Sequence, residues 1–76
     1  AKSLFIDGNY IYIVTATNIQ TYKISTNTII NTFNIKNGVG NDIVLKNNKL
    51  FVATDNGGVL ILNTNNNGEL SFFKLF

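Results

Sequence analysis

Residues 47–62, NNKLFVATDNGGVLIL, decide the fold class of this chain. They contain two largely apolar segments, at 50–54 and 59–62, each too short for a helix and rich in residues that favour strands. The residues between them, 55–58, read DNGG, and Asn and Gly tolerate the positive φ that tight hairpin turns require. The stretch therefore predicts two strands joined by a tight turn.

Both of these strands are apolar without interruption, in the runs LFVA and VLIL. A strand with one face in a core and the other in water is expected to alternate apolar with polar residues. Unbroken apolar strands are typical of sheets that are covered on both faces. The pattern therefore predicts that each sheet of this protein has a packing partner on either side.

A looser copy of the same pattern lies upstream. At an offset of 39 residues, the apolar run 11–14 falls on 50–53. An extra Gly in the second copy changes the offset to 40, which aligns Phe33 with Phe73. A period near 40 that contains four strands is typical of a β-propeller blade.

The two copies divide the chain at a loop, residues 36–41, into halves at 1–37 and 38–76. The glycines of this loop, Gly38 and Gly40, favour a flexible link. We expect an all-β fold of two four-stranded antiparallel β-propeller blades, part of a larger or oligomeric propeller. The expected strands are residues 3–6, 10–15, 19–24, 28–35, 42–45, 49–54, 59–63 and 70–76.

Residues 8–29 and 47–70 resemble the blades of LVIVD and YVTN-type β-propellers. The resemblance rests on Phe-Val-Ala-Thr at 51–54, on the Gly pair at 57–58 and on VLILN at 59–63. The first copy departs from the pattern, since its central hairpin lacks Gly and its third strand contains polar residues. The resemblance implies four antiparallel strands per blade, the first innermost, with blades stacked around an axis. Such families include scaffolds, surface proteins and binding modules, and a few related lactonases and dehydrogenases whose site residues are not visible here.

The composition narrows the possible functions. The chain has 76 residues, which is one domain at most, and contains no Cys and no His, so disulfides are excluded and zinc, haem or iron–sulfur cofactors are not expected. The net charge of +2 comes from scattered lysines without Arg, which argues against a nucleic-acid surface. No apolar run approaches the roughly 20 residues of a membrane span. Low charge with abundant Asn and Thr suits an extracellular or surface protein.

The start of the chain leaves its origin open. There is no initiator Met and no recognisable signal peptide. The sequence is compatible with a mature form, a fragment or an engineered piece.

Few residues suit catalysis or metal binding. Asp7 and Asp42 are the candidates for an acid/base pair, but they fall at opposite ends of the innermost strands and are interpreted as turn and strand-end residues. The segment 55–57 resembles the start of a calcium loop without its remaining ligands, and a turn explains it better. No serine triad can be built without His. Aromatic side chains could form a sugar platform or, as is commoner, pack within the sheets; they are Tyr10, Tyr12, Tyr22, Phe51, Phe72, Phe73 and Phe76.

Two blades do not close a propeller ring, and apolar faces on both sides of each blade mark interfaces. The expected partners are other copies, with three copies giving six blades and four giving eight, or further blades of a longer chain. The residues expected in blade packing or partner contact are Tyr10, Tyr12, Phe51, Val52, Leu60, Leu62, Phe72 and Phe73.

Three hypotheses about function and architecture are compatible with the sequence. The first is a non-enzymatic structural or interaction module, and the second is a fragment of a propeller enzyme or lectin whose site residues lie in other blades. The third is a closed eight-stranded sandwich or barrel that is stable as a monomer. The last strand, LSFFKLF at 70–76, is an aggregation hazard as an open edge, so we expect it to be paired or covered.

Overall fold

Eight strands form two antiparallel sheets of four. The computed structural model describes residues 3–76, and these contain no helix. Both sheets are meanders with the strands in chain order, β1-β2-β3-β4 and β5-β6-β7-β8. The expected all-β fold of two four-stranded antiparallel sheets is confirmed. The strands are β1 Ser3–Asp7, β2 Tyr10–Val14, β3 Asn18–Lys23, β4 Thr28–Asn34, β5 Val39–Lys46, β6 Lys49–Asp55, β7 Gly58–Thr64 and β8 Leu70–Leu75.

Asparagine and glycine form the tight turns. Asn47 and Asn48, between β5 and β6, have φ of 53° and 61°, which is the backbone of a hairpin turn with two left-handed residues. In the DNGG turn between β6 and β7, Asn56 and Gly58 have φ of 68° and 80°. Asn tolerates this conformation because its short polar side chain can bond to nearby backbone. The high Asn content therefore serves the hairpins.

The expected flexible link at Gly38 and Gly40 is wrong for Gly40, whereas Gly38 lies in the connection before β5. β5 begins at Val39, and Gly40 pairs with Thr54 of β6 and is buried. The Gly40 N–H donates to the carbonyl of Ala16 in the first sheet, at 3.0 Å. The backbone approaches so closely that a Cβ at Gly40 would meet the carbonyl oxygen of Thr15. The residue is Gly because it joins the two sheets closely, and a loop signal alone could not reveal this.

Each sheet has a β-bulge, and the two bulges lie at equivalent positions. In the first sheet the register shifts at Thr21/Tyr22 of β3, so that Ile30 of β4 is unpaired. In the second sheet the shift occurs in β7, which leaves Phe73 of β8 unpaired. Ile30 and Phe73 are therefore equivalent, an offset of 43. The sequence alignment of Phe33 with Phe73 is wrong in the fourth strand, because the loop before β8 is longer than the one before β4.

The sheets pack face to face around one core. Its buried side chains are Tyr12, Val14, Ile19, Ile43, Leu50, Val52, Leu60 and Leu62. The accessible surface is 4515 Å². A compact monomer of the same mass is expected to have about 4600 Å². The two sheets therefore pack into one unit.

Polar contacts fix the relative position of the sheets. Ser3 and Asp42 lie near the first strands, and Tyr10 reaches the long loop between β7 and β8. Four hydrogen bonds that cross between the sheets are Ser3 Oγ to Asp42 Oδ1 (2.9 Å), Tyr10 Oη to the Asn66 carbonyl (3.1 Å), the Leu70 N–H to Asn31 Oδ1 (3.1 Å) and the Gly40 N–H to the Ala16 carbonyl (3.0 Å).

Candidate interaction surfaces

Each sheet has one side in the core and one side turned outward. Residues that pair directly across antiparallel strands share a side, so the strand registers assign each paired residue to one of the two. Phe73, which is unpaired at its bulge, is assigned by its contact with Lys49. The contact between the sheets is the closed interface. The outward sides are called the first open face, with Leu4, Ile6, Ile11, Ile13, Tyr22 and Ile29, and the second open face, with Val44, Phe51, Val59, Ile61 and Phe73.

The first open face is apolar and uncovered. Leu4, Ile6 and Ile29 expose 54%, 60% and 54% of their surface. None of the strand residues on this side, within residues 3–34, is Asp, Glu or Lys. Contiguous apolar surface of this kind marks an interaction site rather than an ordinary solvated face.

The second open face is apolar at its centre and carries lysines. Val44 and Phe73 are each 51% exposed, and Phe51 is partly exposed between them. The Lys49 Nζ lies 4.6 Å from the centre of the Phe73 ring, a cation–π contact. The Lys49 ammonium therefore sits on top of an aromatic surface instead of projecting away from it.

Equivalent residues of the two copies lie on opposite sides relative to the closed interface. Tyr12 is buried against the second sheet, whereas its equivalent Phe51 faces outward. Leu4 faces outward, whereas its equivalent Ile43 is buried against the first sheet, with 4% exposed. The two sheets are therefore stacked in the same orientation, like successive repeats, and not front to front.

The expected interface residues are divided between these surfaces. Tyr10, Tyr12, Val52, Leu60 and Leu62 belong to the closed interface. The aromatic neighbours in β8, Phe72 and Phe73, lie on opposite sides of the strand, as expected for successive strand residues. Phe51 and Phe73 lie on the second open face, and Phe72 lines a cleft between the sheets.

Sequence reasoning missed several exposed apolar residues. The sequence pattern places Leu4, Ile6, Ile29 and Val44 in strands but does not identify them as interface residues. The signal was present in β1 and β5, because both strands are apolar on consecutive positions and so must present apolar groups on both sides.

The cleft lies between β4 and β8, on the far side of the sheets from β1 and β5. Its volume is about 380 Å³. The two sheets contact each other at their first strands, β1 and β5, and also at their fourth strands, β4 and β8, beside the cleft. The lining residues are Phe33, Asn34, Ile35, Lys36, Asn37, Leu60, Phe72 and Leu75.

The carboxylates do not form an acid/base pair. Asp42 accepts the N–H of Ile43 at 2.8 Å and the Ser3 hydroxyl at 2.9 Å, and these hydrogen bonds hold the pKa of Asp42 below its usual value. Asp7 ends β1 four residues after Ser3, about 13 Å further along the strand. No three Asp or Glu side chains among residues 3–76 cluster as metal ligands would.

Asp55 ends β6 and leads into the turn that the sequence predicts. Its carboxylate accepts from the Asn41 side-chain amide at 3.3 Å, and Asn56 beside it has positive φ. This arrangement closes the hairpin and links it to β5. It assembles no set of oxygen ligands.

Tyr12 is the buried titratable group of the closed interface. Burial raises the pKa of the Tyr12 phenol, the negative charge of Asp7 and the neighbouring Tyr10 add to the increase, and a hydrogen bond with Thr64 opposes it. The neutral phenol is therefore the form that the folded protein favours. Tyr12 acts as a packing residue of the closed interface, and its hydroxyl is hydrogen-bonded to the Thr64 side chain.

Residues 3–76 contain no helix with the length and hydropathy of a membrane span. Comparison with protein-family models, with curated proteins and with solved structures found no match to this chain.

Proposed function

We propose that this chain is a non-enzymatic structural or interaction module, built as two β-propeller blades, whose function is to assemble by blade stacking. The observation that carries the proposal is the pair of apolar open faces, with Ile6 60% exposed on one and Val44 51% exposed on the other. The blades that cover these faces come from other copies or from a longer chain.

The internal geometry supports a propeller arrangement. The two sheets have the same strand order, share a bulge at the equivalent position and are stacked in the same orientation. They contact each other at β1 and β5, and a cleft of about 380 Å³ lies between β4 and β8. In a propeller, four-stranded sheets of this kind are arranged around a central axis.

The absence of a suitable site supports a non-enzymatic role. The chain has no His and no Cys, and the described carboxylates are engaged in turns and strand ends rather than in a common pocket. The chemistry that remains is apolar surface with a few polar anchors, which suits protein–protein contact.

The native mass tests this proposal. Light scattering behind size exclusion is expected to give a discrete multiple of 8.4 kDa. A mass of one chain at every concentration would contradict assembly of copies and favour the alternative, a fragment whose remaining blades and site residues lie outside this sequence.

A further inference from the structure

The closed interface joins two unlike sides. In the first sheet it is formed by the side that carries Tyr12 and Val14, and in the second sheet by the side that carries Leu50 and Val52. These two sides are not equivalent in the repeat, since the residues that match Leu50 and Val52 in the first sheet are Ile11 and Ile13, on its outward side.

The open faces are therefore the missing counterparts of the closed interface. The second open face, with Phe51 and Val59, matches the side that the first sheet buries through Tyr12 and Ile19. The first open face, with Leu4, matches the side that the second sheet buries. Each chain thus presents one half of a blade-to-blade contact at one end and the complementary half at the other.

We propose that the first open face of one copy docks on the second open face of another copy, in the register of the closed interface. The proposal rests on the proposed function and names its partner, a second copy of this chain, and the pair of surfaces that meet. Such a contact is heterologous, so it continues from copy to copy until a ring closes.

The register sets which residues meet. In the closed interface, Tyr12 and Val14 pack in one core with Leu50 and Val52. Between copies, Phe51 and Ala53 of one copy take the place of Tyr12 and Val14. Ile11 and Ile13 of the neighbouring copy take the place of Leu50 and Val52.

Charge is compatible with this pairing. The second open face carries Asp42, Lys46, Lys49 and Lys74, and the Nζ atoms of Lys49 and Lys74 each lie over an aromatic ring. The strand residues of the first open face are uncharged among those described. Docking the two unlike faces therefore brings no like charges together.

Two variants that each block one face provide the test. Ile6→Lys with Ile29→Lys blocks the first open face, and Val44→Lys with Val59→Lys blocks the second. All four side chains are at least partly exposed in one copy, with Val59 the least exposed at 38%, so the fold is expected to tolerate the lysines. Each variant alone is expected to have the mass of one chain, and an equimolar mixture is expected to form a heterodimer of twice 8.4 kDa.

The possible outcomes separate the two proposals. Wild-type protein that stays monomeric contradicts the assembly of copies in the proposed function and overturns this pairing with it. Wild-type protein that assembles, together with either variant forming a homodimer through its intact face, overturns the pairing alone, because like faces then meet. A mixture that remains monomeric while wild type assembles also overturns the pairing.

A milder set of variants guards against loss of fold. Ser at the same four positions removes apolar surface without adding charge. These variants are expected to weaken self-association at least tenfold and to restore it on mixing, with unchanged far-ultraviolet circular dichroism. Equal weakening in the variants and in their mixture would count against the pairing.

Discussion

The closed interface and the open faces are built from the same repeat positions but have opposite exposure. Tyr12 is 2% exposed in the closed interface, whereas its equivalent Phe51 is 37% exposed on the second open face. The difference is one of neighbours, because the side chains are similar in size and hydrophobicity. Exposure at these equivalent positions therefore depends on whether a second sheet packs against that side.

The largest expected difference between the two regions is in stability. Ile43→Ala, in the closed interface, is expected to cost about 2–4 kcal/mol of unfolding free energy, because it leaves a cavity in a packed core. Its equivalent Leu4→Ala is expected to cost less than about 1 kcal/mol, since Leu4 is largely exposed.

Urea denaturation of both variants measures this difference. The variants are best compared with Val44→Lys and Val59→Lys present, so that assembly does not add to stability. Equal costs for Ile43→Ala and Leu4→Ala would show that the two sides are not the closed and open regions described.

The second prediction concerns the close approach of the sheets. Gly40→Ala is expected to cost about 2–3 kcal/mol, since the added Cβ would meet the Thr15 carbonyl oxygen and lie 2.7 Å from Val14 Cγ2. Gly8→Ala is the matched control, because no atom lies within 4 Å of a Cβ there. It is expected to cost about 1 kcal/mol, from the left-handed backbone alone. Thermal unfolding with a larger loss for Gly8→Ala would contradict the contact.

The third prediction concerns a polar atom in the closed interface. Thr21 is fully buried, and its hydroxyl has no hydrogen-bond partner among the described residues. Its repeat equivalent is Ile61, an apolar residue. Thr21→Val keeps the shape and removes the unpaired group, so a gain of about 1 kcal/mol is expected.

Thr15→Val is the control for this change. The Thr15 hydroxyl donates to the side-chain oxygen of Asn18 at 2.9 Å and to the Asn18 carbonyl at 3.2 Å. It also accepts the backbone N–H of Asn18 at 3.0 Å. Its loss is expected to cost about 1 kcal/mol. Chemical denaturation that finds both variants destabilised would show that the Thr21 hydroxyl has a partner, such as a bound water.

The smallest expected effect is a pH dependence. The pKa of Tyr12 is raised in the folded state, so the folded protein holds its proton more tightly than the unfolded chain. The resulting stabilisation is complete below the model-peptide value of 10.0 and is lost as pH rises through the folded pKa. The Tyr12→Phe variant has no phenol at this position to titrate, so its unfolding free energy does not show this loss at high pH. Unfolding free energies of wild type and variant between pH 8 and about 11.5 are expected to diverge above pH 10, and parallel curves would contradict the burial of the phenol.

Most of the fold could be predicted because its determinants are local. The apolar segments and the Asn and Gly turns specify the hairpins, and the positive φ of Asn56 and Gly58 fits the expected turn. The sequence alone could not assign the sides of the strands. In a run such as Leu50–Val52, buried and exposed positions carry the same kind of residue, so alternation gives no signal.

Two further details depended on tertiary contacts. The sequence pattern predicts a loop at Gly40 and so misses the start of β5. In the structure, the hydrogen bond of Gly40 to Ala16 and its pairing with Thr54 hold it in a strand. The register of the fourth strand was missed because a bulge at Phe73 and a longer loop before β8 shift it by three residues. Neither feature changes the periodic pattern from which strands are read.

The outer edge of the second sheet partly meets the expectation for the last strand. β8 pairs with β7, and Phe76 extends this pairing through two hydrogen bonds with Val59. Its side chains are nevertheless largely exposed, with Phe72 58% exposed. Pairing along one edge protects the backbone there, while the side chains border the cleft and the second open face.

Small-angle X-ray scattering tests most directly whether the open faces are covered in the native protein. A single copy has a Cα radius of gyration of 11.2 Å. Stacking of copies predicts a radius well above this value at high concentration, with a distance distribution that indicates a ring. A radius that stays close to that of one copy across the whole concentration range would contradict the account.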